Sequence, residues 1–405
     1  MRCRALTRRF APLILAGLPA PFLQADPLKF DVGPFNLEPR ATVGETYNDN
    51  VLLRENNVKG DFITQFMPGL GIFTGEPNFN HASVDYLLTR NLYANQSQLD
   101  SLDHAISFQG IYDWPRLTLE GTASYLSKKA LLGGEVSSES PVGYETYYDV
   151  LKLAYDLSGK TGLYGSVRYD AEEFEKNTGL IDYADVRGTL GATYHYTPKT
   201  SFFLEGYYGQ VGTKPEDPRI PVGPRAYYEG TYMGLQGKLA TRFTFYAKAG
   251  YEFRNFSDGT SAPGALVSEV SLSYNFNENL VANVRYHRAN QTSIQFNDQT
   301  FVQDDVHASL TRKFGSEGKL ETSIGVDYLV NAYDSTSKNN IIGQSLNGRT
   351  DSPIELNLDV KYHFRKWLLA DCGYRFSNFD SSDSTVRKYT VNQIYLFLSM
   401  GYTKP

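Results

Sequence analysis

The residues Ile354-Glu355-Leu356-Asn357-Leu358-Asp359-Val360-Lys361-Tyr362-His363-Phe364 alternate between apolar and polar side chains without a break. Arg365 and Lys366 interrupt the pattern. It resumes as Leu368, Ala370, Cys372, Tyr374 and Phe376 set against Leu369, Asp371, Gly373 and Arg375. Successive side chains on a strand point to opposite faces, so each run has one apolar and one charged surface. The link between the runs is too short for anything but an antiparallel turn, and the pair reads as a β-hairpin. Its apolar rows end in aromatics.

The same unit recurs along the chain. Strands are expected at 39–47, 61–74, 81–93, 104–113, 116–126, 147–157, 161–172, 183–196, 201–212, 226–239, 243–256, 266–276, 280–291, 303–314, 319–332, 354–364, 367–379 and 392–402. The connections alternate in length. Short ones fall at Glu76-Pro77-Asn78, Trp114-Pro115, Ser158-Gly159-Lys160, Pro198-Lys199, Ala240-Thr241-Arg242, Asn277-Glu278-Asn279, Gly315-Ser316-Glu317-Gly318 and Arg365-Lys366. Long ones fall at 48–60, 94–103, 127–146, 173–182, 213–225, 257–265, 292–302, 333–353 and 380–391. A β-propeller shares the hairpin spacing of about 40 residues, but gives no reason for loops to sort this way. A closed antiparallel transmembrane β-barrel of about 18 strands does, with short periplasmic turns and long extracellular loops.

Composition agrees. Tyr (30), Phe (24) and Gly (35) are abundant, and mean hydropathy is −0.39, so no helical span is expected in the body of the chain. Barrel strands carry few outward apolar residues each, diluted by polar inward ones. Arg2, Arg4, Arg8 and Arg9 precede an apolar core from Phe10 to Leu23, and Leu23-Gln24-Ala25 is a cleavage-like site. Residues 1–25 therefore read as a signal peptide, 26–38 as a periplasmic lead, with Pro27, Pro34 and Pro39 opposing regular structure, and 39–405 as the barrel. Loss of the four arginines takes the basic side chains from 39 to 35 against 45 acidic ones, which excludes a basic surface for nucleic acid. Cys3 leaves with the signal, so Cys372 has no partner and reads as a small apolar side chain.

In hydrocarbon an open sheet edge is prohibitive, so the sheet must close. The polar face then lines a bore. The inward candidates are Arg168, Arg187, Lys248, Glu252, Arg285, Glu355, Asp359, Lys361 and Arg375, with Tyr164, Tyr207 and Tyr246. So many ions in a dry interior would each need a partner, whereas a wet lumen makes their cost small. Tyr164, Tyr207, Tyr228, Tyr232 and Tyr246 either offer faces on which sugar rings stack or merely fill lumen volume. Phe202, Tyr208, Tyr274, Phe276, Tyr286, Phe314 and Tyr362 recur near strand ends, where amphipathic rings suit a lipid–water boundary.

Sites of chemistry are not apparent. The six histidines, His81, His104, His195, His287, His307 and His363, have no metal-ligand spacing and read as inward polar groups. No G-x-S-x-G elbow occurs, and neither catalytic residues, metal nor cofactor are expected. Asn48-Asp49-Asn50 and Asp61 either hold Ca²⁺ or form turns through side-chain to backbone bonds. Pro215, Pro218, Pro221 and Pro224 recur every three residues, as on one edge of a polyproline II helix, giving either a stiff lid or an ordinary surface loop. The last strand, with Ile394, Leu396, Leu398, Met400 and Tyr402 on one face, resembles the terminal strand read by barrel-insertion machinery, although Thr403-Lys404-Pro405 follow it.

Gly33-Pro34-Phe35-Asn36-Leu37-Glu38-Pro39, Thr46-Tyr47-Asn48-Asp49-Asn50-Val51, Asp61-Phe62-Ile63-Thr64 and Met67-Pro68-Gly69-Leu70 resemble the opening of the β-barrel porin 2 family of bacterial outer-membrane proteins. The resemblance implies an outer-membrane barrel associated with exopolysaccharide export, and supplies no catalytic residues. The expected partners are outer-membrane lipid and lipopolysaccharide, the insertion machinery, and a polysaccharide or small hydrophilic solutes. A general diffusion porin and a plugged display barrel share these features.

Overall fold

The structure is a computed structural model and describes residues 29–75, 80–134, 138–176, 178–215, 225–259, 261–293, 300–315, 318–333, 348–365, 367–384 and 386–401. Residues 1–28, which include the expected signal segment, the Glu76-Pro77-Asn78 turn, Lys366, Pro218, Pro221, Pro224 and the last four residues lie outside that set.

Twenty strands follow one another: β1 (Phe30–Val32), β2 (Phe35–Asn48), β3 (Asp61–Gly75), β4 (His81–Tyr93), β5 (Ser101–Asp113), β6 (Leu117–Ala130), β7 (Val142–Asp156), β8 (Thr161–Phe174), β9 (Ile181–Thr197), β10 (Thr200–Pro215), β11 (Ala226–Leu239), β12 (Phe243–Phe256), β13 (Ser261–Asn277), β14 (Leu280–Thr292), β15 (Thr300–Phe314), β16 (Leu320–Tyr333), β17 (Thr350–Asp351), β18 (Ile354–Arg365), β19 (Leu368–Phe379) and β20 (Tyr389–Gly401). A single 3-10 turn, Ser97–Leu99, interrupts them among the described residues. All but β1 and β17 form one antiparallel ring of 18 strands, each paired with its sequence neighbours. The ring closes where β2 meets β20, from Arg40 opposite Gly401 to Asn48 opposite Gln393. Eighteen strands about 4.8 Å apart and tilted about 40° enclose a cylinder roughly 36 Å across the backbone.

The opening hairpin has the expected register: Leu356 faces Phe376, Leu358 faces Tyr374 and Val360 faces Cys372. Its apolar row packs against no second sheet, for Leu358, Val360, Tyr362 and Phe364 are all exposed on the outside. The outward rows of neighbouring strands continue this into a belt that includes Leu190, Leu204, Met233, Ile394 and Leu396. Aromatics bound the belt twice. Tyr112, Trp114, Tyr196, Phe202, Phe276, Phe364 and Trp367 ring the short-turn side. Towards the long loops, outward tyrosines bond to outward polar groups. Tyr147 donates to Glu145 (2.7 Å), Tyr286 to Asp304 (2.6 Å) and Tyr374 to Asn392 (2.6 Å). Nη1 of Arg288 also donates to both oxygens of Asp304, at 2.8 and 2.6 Å. Asp149, opposite Ala123 and Tyr169, is an outward carboxylate deeper in the belt, and nothing in the structure explains it.

Two expectations need correction. The segment 26–38 is not an irregular lead throughout. β1 pairs with Phe35–Leu37 through the Gly33-Pro34 turn, and β2 runs straight through Pro39. The amide of Asp49 bonds Asn392, so every second amide of β2, counting back to position 39, faces the β20 edge. Among the described residues Gly401 is the last to pair on that edge, opposite Arg40, and Pro39 lies one position beyond it, so its missing N–H takes no bond from the described ladder. Second, His104 points outward, where its Nδ1 meets the Tyr86 hydroxyl at 2.9 Å. It belongs to the polar row above the belt and not to the lumen.

Candidate functional site

Among the described residues the ring has no central hydrophobic core; its inner face is a wall of charged and aromatic side chains. All twelve inward candidates lie on it, in two groups separated around the ring.

The larger group runs from β8 to β15 and centres on Tyr207. That ring stacks on Tyr232 at 5.2 Å between centroids, and its hydroxyl donates to Glu252 at 3.1 Å. The Arg187 guanidinium lies 3.7 Å above the ring centroid. Arg168 pairs with Asp185 at 2.5 Å, and Asp185 also accepts the Tyr228 hydroxyl at 2.6 Å. Lys248 sits between Glu205 (3.7 Å) and Glu269 (3.3 Å), while Tyr164 donates to Glu205 at 2.9 Å. Tyr246 stacks on Phe203 at 5.6 Å, and Arg285 pairs with Asp305 at 2.8 Å. The smaller group occupies β18 and β19. Asp359 accepts bonds from Tyr395 and from Ser323 (3.1 Å), and Arg375 lies 5.0 Å over the Tyr395 ring. Register places Lys361 between Glu321 and Asp371, and Glu355 opens into the lumen. Ions of opposite sign thus alternate along the wall, and partners hold most of them in fixed positions.

Glycine sets the posture of the rings. Tyr228 lies directly opposite Gly209, Tyr207 opposite Gly230, Phe203 opposite Gly234, Tyr232 opposite Gly250, Tyr164 opposite Gly191 and Tyr395 opposite Gly373. In each case a Cβ on the glycine would collide with the ring. The aromatics therefore lie flat on the backbone of the next strand, an arrangement known to stabilise strand glycines. This corrects the stacking expectation for Tyr207, Tyr228 and Tyr232. They are 5%, 3% and 5% exposed, one face on backbone and the other under a neighbour, and no sugar ring reaches them. These three pack as lumen-filling side chains, while Tyr164 and Tyr246 are half-buried.

Loops narrow the long-loop mouth. The β6–β7 connection packs Leu131 and Leu132 against small apolar clusters at the rim. It then meets loops from well around the ring. Arg349 donates to the Gly134 carbonyl (3.5 Å) and Arg387 to the Ser138 carbonyl (3.4 Å), while Glu139 pairs with both Arg387 and Arg54. Arg349 is itself locked to Asp351, a pair only 2% and 0% exposed. On the β19–β20 loop, a bond from Lys388 at 2.6 Å holds the Asp380 carboxyl below its ordinary range.

No group of three His, Cys, Asp or Glu is placed to hold a metal among the described residues. The oxygens of Asp61 are taken by the amides of Phe62, Asn95 and Gln96 and the side chain of Asn95. Asn48, Asp49 and Asn50 likewise bond to backbone and side-chain N–H groups, as the turn reading expects.

No family model matches the chain, so the resemblance of its opening segment to the β-barrel porin 2 family has no such support, and no curated protein matches it. Solved structures similar to it include OpdL of Pseudomonas aeruginosa (13% identical, TM-score 0.43, covering 91% of this chain and 99% of that one). OpdQ of the same organism is 11% identical with a TM-score of 0.45 over 91% and 99%. A BenF-like porin of Pseudomonas fluorescens Pf-5 is 9% identical with a TM-score of 0.43 over 90% and 98%. These values describe a general likeness of form and extend to no residue.

Proposed function

We propose that this chain is a channel of a bacterial outer membrane that passes small hydrophilic solutes. One observation carries the reading: a closed ring wears an apolar belt between two aromatic girdles on its outside and a wall of ions on its inside. Hydrocarbon around the belt removes the cost of exposing it to water, and water in the bore removes the cost of burying the ions. On this reading the short turns and both ends of the ring face the periplasm, a signal peptide brings the chain there, and insertion machinery and lipopolysaccharide are its partners.

Small solutes are favoured over a polysaccharide by the state of the wall. Tyr207, Tyr228 and Tyr232 are committed to the wall itself, so the ladder of open aromatic faces that a sliding sugar polymer would use is missing there. What projects into the bore is mixed charge, which suits small hydrated solutes of either sign. Pro215 and the loop after it do not enter this reading.

The test is reconstitution. Purified protein in a planar bilayer should give discrete conductance steps in potassium chloride with weak cation–anion preference. Liposomes carrying it should swell in mono- and disaccharides and not in long dextrans. Conductance blocked by one exopolysaccharide and by no unrelated polymer would favour the export reading. Absence of conductance from correctly folded protein would favour a plugged display barrel.

A further inference from the structure

Every strand junction in the ring but one is joined by a turn or loop. The exception is β2 with β20: at its upper end Asp49, which follows β2, meets Asn392 of β20, 343 positions on in the sequence. Bringing such distant segments together costs more chain entropy than closing any hairpin. Among the described residues β20 covers β2 from Arg40 upwards, and β1 occupies the same edge lower down, at Phe35–Leu37.

At its upper end the junction is bound by an unusual set of side chains. Asp49 receives the Asn392 amide on Oδ1 and the Asn392 side-chain Nδ2 on Oδ2, both at 2.7 Å. The Asp49 amide donates back to the Asn392 carbonyl at 3.1 Å. Asn50, 1% exposed, donates from Nδ2 to the Thr390 carbonyl at 2.9 Å and to the Arg54 carbonyl at 2.7 Å. Its Oδ1 accepts the Arg54 amide at 3.0 Å, and Asn48 holds the turn by accepting the Asn50 amide at 2.8 Å. Asn392 is further fixed by the Tyr374 hydroxyl. A carboxylate accepting two N–H bonds gives the stronger, charge-assisted kind of hydrogen bond.

We infer that Asn48-Asp49-Asn50 is a clasp that closes the barrel: it substitutes for the missing hairpin link by tying the first ring strand to the last. The residues are adjacent in sequence because all three serve one turn: Asn48 holds it locally, while Asp49 and Asn50 bond to Asn392 and Thr390 of the last strand, so the clasp forms only when the ring does. β1 guards the opposite end of the same edge.

The test exchanges the partners. D49N sets one side-chain amide against another, N392D sets two carboxylates together, and the double variant D49N/N392D restores a donor facing an acceptor at unchanged net charge. Unfolding rates are measured in lipid vesicles by loss of heat-modifiable gel mobility. Each single variant should unfold about tenfold faster or more, as expected for a lost hydrogen bond to a charged group, and the double variant should recover most of that. Hydrogen exchange should accelerate in the single variants at Arg40–Asn48 and Gln393–Gly401 and stay unchanged in β9–β12. Single variants that unfold like the parent, a double variant no better than the worse single, or exchange raised uniformly around the ring would each overturn the clasp.

Discussion

Replacing Tyr207 by alanine is expected to lower stability by about 2–4 kcal/mol and at the same time to raise single-channel conductance. The ring is 5% exposed and packs on Tyr232 and Tyr228, under the guanidinium of Arg187. Its loss removes those contacts, leaves a Glu252 oxygen without its donor and frees Arg187 to move. A Tyr207→Phe control should keep the packing and lose only the bond to Glu252, for about 1 kcal/mol. Because Tyr207 lies on the lumen wall, the vacated volume joins the bore and fills with water, so conductance increases. Thermal unfolding in detergent and bilayer recordings read the two effects separately. Lower stability with unchanged conductance would mean that Tyr207 does not border the conducting path.

Leu190→Arg should be the most damaging substitution on the outer face. Leu190 is 76% exposed, and its cross-strand partners are Gly165 and Gly206, so no neighbouring side chain could shelter an ion there. An arginine on the lipid side near mid-membrane costs about 2–4 kcal/mol. Thr189→Arg, one residue away on the inner face, should cost far less, because there the guanidinium meets water and the wall carboxylates. Folded fraction after urea titration in lipid vesicles compares the two. Equal effects, or a greater effect at Thr189, would put the hydrocarbon on the wrong side of the sheet. In a water-soluble protein the result at Leu190 would reverse, since an exposed leucine exchanged for arginine is harmless or beneficial.

The inward or outward sense of nearly every strand was legible from period two alone. One register slip would send a whole apolar row to the wrong side, so the pattern at Leu356, Leu358 and Val360 leaves little freedom. The alternation of short turns and long loops then gave the ring and its 18 strands. Strand ends were less legible, and several strands extend into what reads as loop, as β7 does at Val142–Thr146. A ladder continues wherever two backbones run side by side, whether or not side chains alternate there. His104 was misplaced because one polar residue near the end of an apolar row looks like a change of face; the Tyr86 hydroxyl that satisfies it is on another strand.

The state of the tyrosines was not legible at all. Whether Tyr207 offers a face or hides one depends on the glycine across from it, and Gly230 becomes its partner only through the register of β10 with β11. The high glycine content was visible, but its purpose required pairings that no local pattern contains. The Asn48-Asp49-Asn50 run was likewise visible as a turn. Its partners on β20 lie at the far end of the chain, 343 positions on in the case of Asn392, beyond any spacing rule.

The most direct measurement uses the chain's own thiol. Cys372 is exposed on the outer face between Val360 and Leu396, while Glu355 opens into the lumen. Protein spanning residues 26–405 with native Cys372, and a Cys372→Ser/Glu355→Cys variant of it, would each be treated, in outer-membrane vesicles, with a membrane-impermeant maleimide. The predicted result is rapid labelling at position 355 and none at 372 until detergent is added, with a fluorophore attached to Cys372 quenched by lipid-borne spin labels. Rapid labelling of Cys372 in intact vesicles, with no quenching from lipid, would contradict the assignment of belt to hydrocarbon and ions to water.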